Sequence, residues 1–200
     1  MADQGDSVSY AESGDEPLRI ALVLATSAGG VGRHVRAAAT GLARAGHRVV
    51  VLGPAETDRT FEFSTQPGVV FQAVEIASGW RPLLGLRASW RVHRLVRDAG
   101  VVHAHGLRAG CVAALALCRW PAGMRRRSQR VGRARALSGE QFRRPVFVVT
   151  LHNAMLGNVF RRRLLGFVMR CLARASDLTL VVSADLAAAL GPRARRVTRA

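Results

Sequence analysis

A short apolar run that leads through a glycine loop into a helix constrains this chain more than any other feature. Leu18–Ala25 is almost wholly apolar, which is typical of a strand covered on both faces in a parallel sheet. After the loop at 28–32, apolar residues recur at helical spacing until Gly46, a favoured residue just past a helix end. The apolar run His47–Leu52 then completes a strand, helix, strand unit.

The rest of the sequence repeats this alternation, which predicts one α/β domain: a Rossmann-like, doubly wound parallel sheet. Two hundred residues suit a single domain, with no room for a second of similar size. The further predicted strands are Val69–Ile76, Val101–His105, Val146–Leu151 and Leu178–Val182. The further predicted helices are Leu83–Ala99, Leu107–Cys118, Val159–Ala175 and Ala184–Leu190. Ser183 is the predicted N-cap of the last helix.

Charge is unevenly distributed along the chain. The formal net charge is +17, and every basic residue apart from histidine is arginine. Residues 1–17 are acidic and polar, so we expect a disordered tail there, followed by the domain at 18–200. Residues 124–144 are rich in arginine with little apolar periodicity, and we expect an inserted, mobile basic loop. The positive potential would favour phosphate-bearing ligands, anionic lipid or nucleic acid.

Several protein classes are disfavoured. Cys111, Cys118 and Cys171 form no C-x-x-C pair, and we expect all three to be reduced core residues. The N-terminus lacks the positive charge of a secretory signal, and no charge-free apolar run reaches the roughly 18 residues of a membrane span. The sequence therefore predicts a cytoplasmic protein.

Ligands of parallel α/β sheets bind beyond the carboxyl ends of the strands. The glycine loop would offer backbone N–H groups at a helix N-terminus, where anions are favoured, although it could also be a simple tight turn. His105 and His152 each lie at the carboxyl end of a predicted strand. His152 is the stronger candidate, with a helix cap or a satisfied core histidine as the alternative.

Two other site types fit poorly. A nicotinamide or flavin site is disfavoured because Val35 stands where the third small residue of the fingerprint belongs, and no carboxylate ends the second strand. His103, His105 and His152 could in principle ligate a metal, since the first two share one face of a strand. A hydrogen-bonding histidine is the commoner arrangement, so we expect no metal.

Five motifs, in this order and spacing, resemble the N-terminal domain of glycosyltransferase family 4, which has the two-domain GT-B fold. The motifs are Ala28-Gly-Gly-Val-Gly-Arg-His34, Leu42-Ala-Arg-Ala-Gly-His-Arg-Val-Val-Val-Leu52, Val101-Val-His-Ala-His-Gly106, Val149-Thr-Leu-His-Asn153 and Leu180-Val-Val-Ser183.

The resemblance implies a retaining, hexosyltransferase-type transfer of sugar from a nucleotide-sugar donor to a sugar, polyol or lipid-linked acceptor, with no cofactor or metal. It places His152 near the transferred sugar as the catalytic residue. The predicted acceptor- and phosphate-binding residues are Gly29, Gly30, Gly32, Arg33, His105, Gly106 and Asn153.

The family also has a C-terminal donor-binding domain with a basic pair and a Glu-x7-Glu element, which this sequence lacks. We therefore expect only the N-terminal half of such an enzyme: a fragment of a longer chain, a prematurely terminated product, or one half of an enzyme split between two chains. Peripheral contact with the inner face of an anionic membrane is a further expectation. The alternative is a non-catalytic basic module that binds anionic membrane or nucleic acid through 125–144 and Arg161–Arg163, although nucleic acid is disfavoured because few aromatic residues lie near these arginines.

Overall fold

The architecture is a parallel sheet with helices on both faces, as expected from the sequence. The computed structural model describes residues 16–27, 29–76, 82–118, 144–152, 159–190 and 197–199. Seven strands are described, in the order β3-β2-β1-β4-β5-β6-β7, and all are parallel. They are β1 Arg19–Leu24, β2 Arg48–Gly53, β3 Val69–Ala73, β4 Val101–His105, β5 Val146–Leu151, β6 Leu178–Val181 and β7 Val197–Arg199.

Six helices are described, and they divide between the two faces of the sheet. They are α1 Gly30–Arg44, α2 Ala55–Phe61, α3 Pro82–Leu95, α4 Leu107–Cys118, α5 Val159–Ala175 and α6 Ala184–Leu190. Side chains of α1 and α2 pack with Leu22 and Val51 on one face. Side chains of α3 to α6 pack with Val23 and Val149 on the other. Each helix thus covers a separate part of one continuous sheet.

The predicted elements are found, mostly with small changes at their ends. Positions 20–24 of β1 are all buried, as a strand covered on both faces requires. Gly46 follows α1 with φ +86°, so it adopts the left-handed conformation of a C-terminal glycine. The Ser183 Oγ accepts a hydrogen bond from the Leu186 N–H at 3.4 Å, which is the predicted N-cap of α6.

Two elements are missing from the sequence prediction. The helix α2 has seven mostly polar residues that show no apolar period, and Pro54 precedes it as its N-cap residue. The strand β7 has only three residues, too few for an alternating pattern. Hydrophobic periodicity therefore identifies neither element.

The prediction of three core cysteines is wrong for two of them. Cys118 and Cys171 are exposed, and Cys111 is only partly buried. Their helices turn neighbouring residues inward instead, because Leu117 and Leu172 occupy the core positions. Burial raises the pKa of the Cys111 thiol, with a smaller contribution from nearby Cys171, so this thiol is a weak nucleophile.

The last residue of the predicted mobile basic loop is instead held against the domain. Arg144 is 8% exposed, and its Nη1 lies 3.2 Å from Oδ2 of Asp177. Its Nη2 donates to the carbonyl oxygen of Ala175 at 3.2 Å, and Asp177 Oδ2 also accepts the Phe147 N–H at 2.8 Å. Arg144 therefore joins the start of β5 to the turn before β6. The other residues of the predicted loop, and the tail at 1–15, lie outside the described residues.

Candidate functional site at the switch point of the sheet

The topological switch point of the sheet lies between the neighbouring strands β1 and β4. Chain connections from β1 run outward to β2 and β3, whereas those from β4 run the other way to β5, β6 and β7. A crevice opens at the carboxyl ends of two such strands, because their connecting helices leave on opposite faces. The glycine loop follows β1, and Gly106 follows β4, so both border this crevice.

The N-terminus of α1 is available to an anion. Gly29 is the N-cap residue, no side chain of the described residues caps the helix, and the first turn contains no acid. A Cβ atom added at Gly29 or Gly30 would meet nothing within 4 Å. Backbone N–H groups at such a helix start attract negative charge, and the absence of side chains leaves room for a close approach. Arg33, one helical turn along, is exposed and could add a charged contact.

Gly32 has a separate, structural reason to be glycine. It is buried, and a Cβ atom there would lie 2.2 Å from Cε2 of the Phe61 ring. Such a distance is far inside van der Waals contact, so packing of α1 against α2 accounts for this glycine. Its predicted part in ligand binding stays a prediction.

The end of β4 places a histidine and a turn at the same crevice. His105 is 3% exposed, and both of its ring nitrogens lack a hydrogen-bond partner among the described residues. Gly106 follows with φ +88°, a conformation that residues with a side chain rarely adopt. Its N–H donates to the Thr150 carbonyl at 2.7 Å, which joins the ends of β4 and β5.

Four histidine rings from three elements meet beside the glycine loop. The ring centroid of His34, on the first turns of α1, lies 5.6 Å from that of His105 and 5.8 Å from that of His152. The His105 and His152 centroids are 5.8 Å apart, and those of His103 and His105 are 4.1 Å apart. The structure therefore brings His105 and His152 together, as the sequence implies, and adds His34.

His34 is the residue that sequence reasoning missed. It lies one helical turn after Gly30, so the helix period places it on the same side of α1 as the glycine loop. That spacing was a usable signal. The sequence did not reveal that this side of α1 faces the ends of β4 and β5, which depends on the strand order.

Burial keeps the inner histidines uncharged. It lowers the pKa of His103 to about 4, with smaller contributions from the charges of His34 and His152. Burial and the neighbouring histidines lower the pKa of His105 further, to about 2. The pKa of half-buried His152 is also lowered, first by burial and then by His34. Each of these rings is thus neutral near pH 7, with one nitrogen to donate and one to accept.

The described residues of the site do not form a metal-binding centre. No three His, Cys, Asp or Glu side chains in the described ranges are arranged to hold one metal ion. His103 has another partner, since its Nε2 lies 2.7 Å from Oγ1 of Thr150. Asn153 lies outside the described residues.

Comparison with known proteins identifies the family. The model of Glycosyltransferase Family 4 matches residues 28–198, most of the chain. Among curated proteins, none matches this sequence closely enough to count as a relative. No described helix has the length and apolar character needed to cross a membrane.

Solved structures share the fold at low sequence identity. HepE of Anabaena, in complex with UDP and glucose, superposes with a TM-score of 0.62 at 16% identity, over 91% of this chain and 43% of that one. MurG of Acinetobacter baumannii superposes with a TM-score of 0.53 at 15% identity, over 90% of this chain and 44% of that one. For UDP-N-acetylglucosamine 2-epimerase of Rickettsia bellii, the TM-score is 0.54 at 11% identity, over 92% of this chain and 44% of that one. This chain spans less than half the length of each.

The fold alone does not name a reaction, because one of these three structures is an epimerase. The family match carries more weight, and nothing in it favours the non-catalytic alternative. A Rossmann-like sheet, a glycine loop at its switch point and a family match over most of the chain lead to one assignment: this chain belongs to Glycosyltransferase Family 4 and has the fold of one half of a GT-B enzyme.

Proposed function

We propose that this domain forms the acceptor-side wall of a retaining glycosyltransferase that uses a nucleotide-sugar donor. One observation carries the proposal: His34, His105 and His152 converge beside an uncapped helix N-terminus at the switch point, and burial keeps His105 and His152 neutral. Neutral imidazoles suit sugar hydroxyls, which both donate and accept hydrogen bonds. The adjacent backbone N–H groups suit a diphosphate.

His105 and His152 have polar atoms that a bound ligand could satisfy. Both nitrogens of His105 and Nε2 of His152 are buried and have no partner among the described residues. A buried polar group without a hydrogen bond costs about 1–3 kcal/mol, so a bound hydroxyl would recover part of that cost. We assign His152 to the transferred sugar, and His105 with Gly106 to the acceptor.

The reaction we propose breaks the bond from the sugar's anomeric carbon to the donor phosphate oxygen. The departing diphosphate keeps that electron pair, and its negative charge would be stabilised at the start of α1 by the N–H groups at Gly29 and Gly30, with Arg33 nearby. The acceptor hydroxyl oxygen forms the new bond to the same face of the sugar. Its proton passes to the departing phosphate oxygen, so atoms and charge balance without a metal.

The donor's nucleotide is assigned to a second domain. HepE, of which this chain covers 43%, was solved with UDP and glucose. A site that needs two walls would bind poorly with only one. We therefore expect residues 1–200 alone to bind a nucleotide sugar weakly, and isothermal titration that shows tight binding would contradict this division.

The decisive experiment is His152→Ala in a protein that also contains the donor-binding domain. Transfer should fall at least about a hundredfold, the scale for a group that acts on the transition state. The control is His47→Ala, a histidine at the amino-terminal end of β2, away from the crevice. Unchanged turnover in the His152 variant, with the fold intact by circular dichroism, would reject the assignment.

A further inference from the structure

The helix layer formed by α3, α4 and α5 has an unusual outer surface. Large apolar side chains point away from the core on all three helices, although helices on a sheet normally turn such residues inward. The exposed fractions are 76% for Leu83, 50% for Leu86, 50% for Trp90, 48% for Leu115, 48% for Leu164 and 58% for Phe167.

On α3 these residues follow the helix period. Leu83, Leu86 and Trp90 are spaced by three and four residues, so they form one outward stripe, while Ala88 and Val92 form the buried stripe on the other side. The helix is therefore apolar on two faces. One face packs on the sheet, and the other has no partner among the described residues.

On α5 the same arrangement recurs. Leu164 and Phe167 are exposed three residues apart, and Cys171 continues the stripe one turn later. Met169 and Leu172 are turned into the core. Two helices of the layer thus present outward apolar stripes.

The exposed stripes belong to one surface because the three helices form one layer. Their buried residues share a single core cluster on the sheet face opposite α1. The Nδ1 of His93 on α3 lies 3.0 Å from the carbonyl oxygen of Ala116 on α4, and Gly110 of α4 packs against Leu172 of α5. Leu115 therefore lies between the two stripes.

The charge on this surface has one sign. The three helices contain nine arginines and no aspartate or glutamate. Among the described side chains, Arg87, Arg91, Arg163 and Arg174 are exposed next to the apolar stripes. Arg94 lies over the Trp90 ring, with 4.7 Å from its Cζ to the ring centroid. Exposed tryptophan, phenylalanine and leucine among unopposed arginines match the requirements of a surface that inserts between anionic lipid headgroups.

We propose that the outer surface of α3, α4 and α5 docks on an anionic lipid bilayer. A second copy of the chain fits less well, because a symmetric contact would place arginine against arginine with no acid to pair with. Nucleic acid fits less well, because four of the six apolar residues are leucines, which cannot stack on bases. The helix α1 packs on the opposite face of the sheet, so docking through α3, α4 and α5 leaves that face uncovered.

Binding to vesicles provides the test and is independent of sugar transfer, so its failure would leave the proposed function standing. The 200-residue chain is sedimented with vesicles of pure phosphatidylcholine and with vesicles containing 30 mol% phosphatidylglycerol, at two salt concentrations. We expect binding to the anionic vesicles only, and weaker binding at the higher salt concentration. Equal binding to neutral vesicles, or no binding to either, would overturn the proposal.

Matched variants locate the surface, because a chain with this positive charge could adhere weakly through any face. Trp90→Ser/Phe167→Ser should weaken binding at least about tenfold, because exposed apolar area would no longer insert. The control is Val70→Ser, which removes a 55% exposed apolar residue from β3 at the far edge of the sheet. Circular dichroism establishes that each variant is folded.

A second pair of variants tests the charge. Arg87→Gln/Arg91→Gln should weaken binding about fivefold for each arginine, whereas Arg44→Gln/Arg48→Gln, at exposed positions on α1 and β2, should change it little. Equal losses in the two pairs would show that overall charge, and not this surface, binds the vesicles. A dimer in sedimentation velocity that Trp90→Ser abolishes would identify a second copy as the occupant and would also overturn the proposal.

Discussion

The Nε2 of His103 lies 2.7 Å from Oγ1 of Thr150, which ties neighbouring strands together beneath the candidate site. Because the ring is largely buried, its pKa is lowered to about 4, and that of His105 beside it to about 2. Both pKa values lie below 6.5, the ordinary value for a histidine in the unfolded chain. Acid therefore favours the unfolded state, which binds protons first.

We predict that the free energy of unfolding falls as the pH is lowered from about 6.5 towards 4. Each of the two histidines should contribute about 1.4 kcal/mol per pH unit once the unfolded chain is protonated. Urea unfolding at a series of pH values measures the slope. His103→Gln/His105→Gln should have a shallower slope, while carboxylates contribute equally to both proteins. Identical slopes would contradict the prediction, and NMR titration of the rings in the wild-type protein tests the pKa values directly.

Removing the His34 ring should raise the pKa of His152. Repulsion from the His34 charge is the second cause that lowers this pKa, after burial, so His34→Gln should produce a partial rise towards 6.5. The ring proton signals of His152 in an NMR titration measure the change. His47→Gln is the control, and a His152 pKa that is equal in both variants would show that the two rings do not interact.

Gly32→Ala should destabilise the domain by about 1–3 kcal/mol, because its new methyl group would overlap the Phe61 ring. Gly30→Ala, with open space around the added methyl group, should leave stability unchanged or slightly raised. Thermal unfolding measures both. Phe61→Leu should recover part of the loss in the Gly32 variant, and no recovery would point to a backbone role for Gly32.

Asp177→Ala should cost about 3–5 kcal/mol, because it leaves the buried Arg144 guanidinium without its charged partner and the Phe147 N–H without an acceptor. The matched control is Glu62→Gln, which removes the 3.6 Å ion pair with Arg36 between two side chains that are 43% and 63% exposed. Exposed pairs contribute at most about 1 kcal/mol. Urea unfolding measures the free energy of unfolding of both variants, and the loss should be clearly larger for Asp177→Ala. Similar small losses in the two variants would mean that water solvates the Arg144 guanidinium.

Much of the fold could be predicted because it depends on short stretches of sequence. The bounds of β4, α4, β5 and α5 follow from apolar runs and helical periods that need no distant partner. The predictions failed where the local signal was weak or ambiguous. The helix α2 has no apolar period. In the sequence, Arg144 cannot be distinguished from the arginines that precede it, because its hydrogen-bond partner Asp177 is 33 positions away.

The site was predicted in part for the same reason. His105 and His152 stand at the ends of recognisable strands, and the carboxyl-end rule selects them. The sequence also determined the glycine loop between β1 and α1. The burial that lowers the histidine pKa values depends on side chains from separate elements, which no local pattern displays.

By itself, then, the sequence determined which segments become strands and helices, since those choices follow from the alternation and period of apolar residues. Only the tertiary structure decided the strand order, which places β4 beside β1 and so brings His34 of α1 to His105 and His152. It also decided that the apolar stripes of α3 and α5 share one surface. Both results depend on how elements distant in the chain pack together, and periodicity within a single element carries no information about its neighbours.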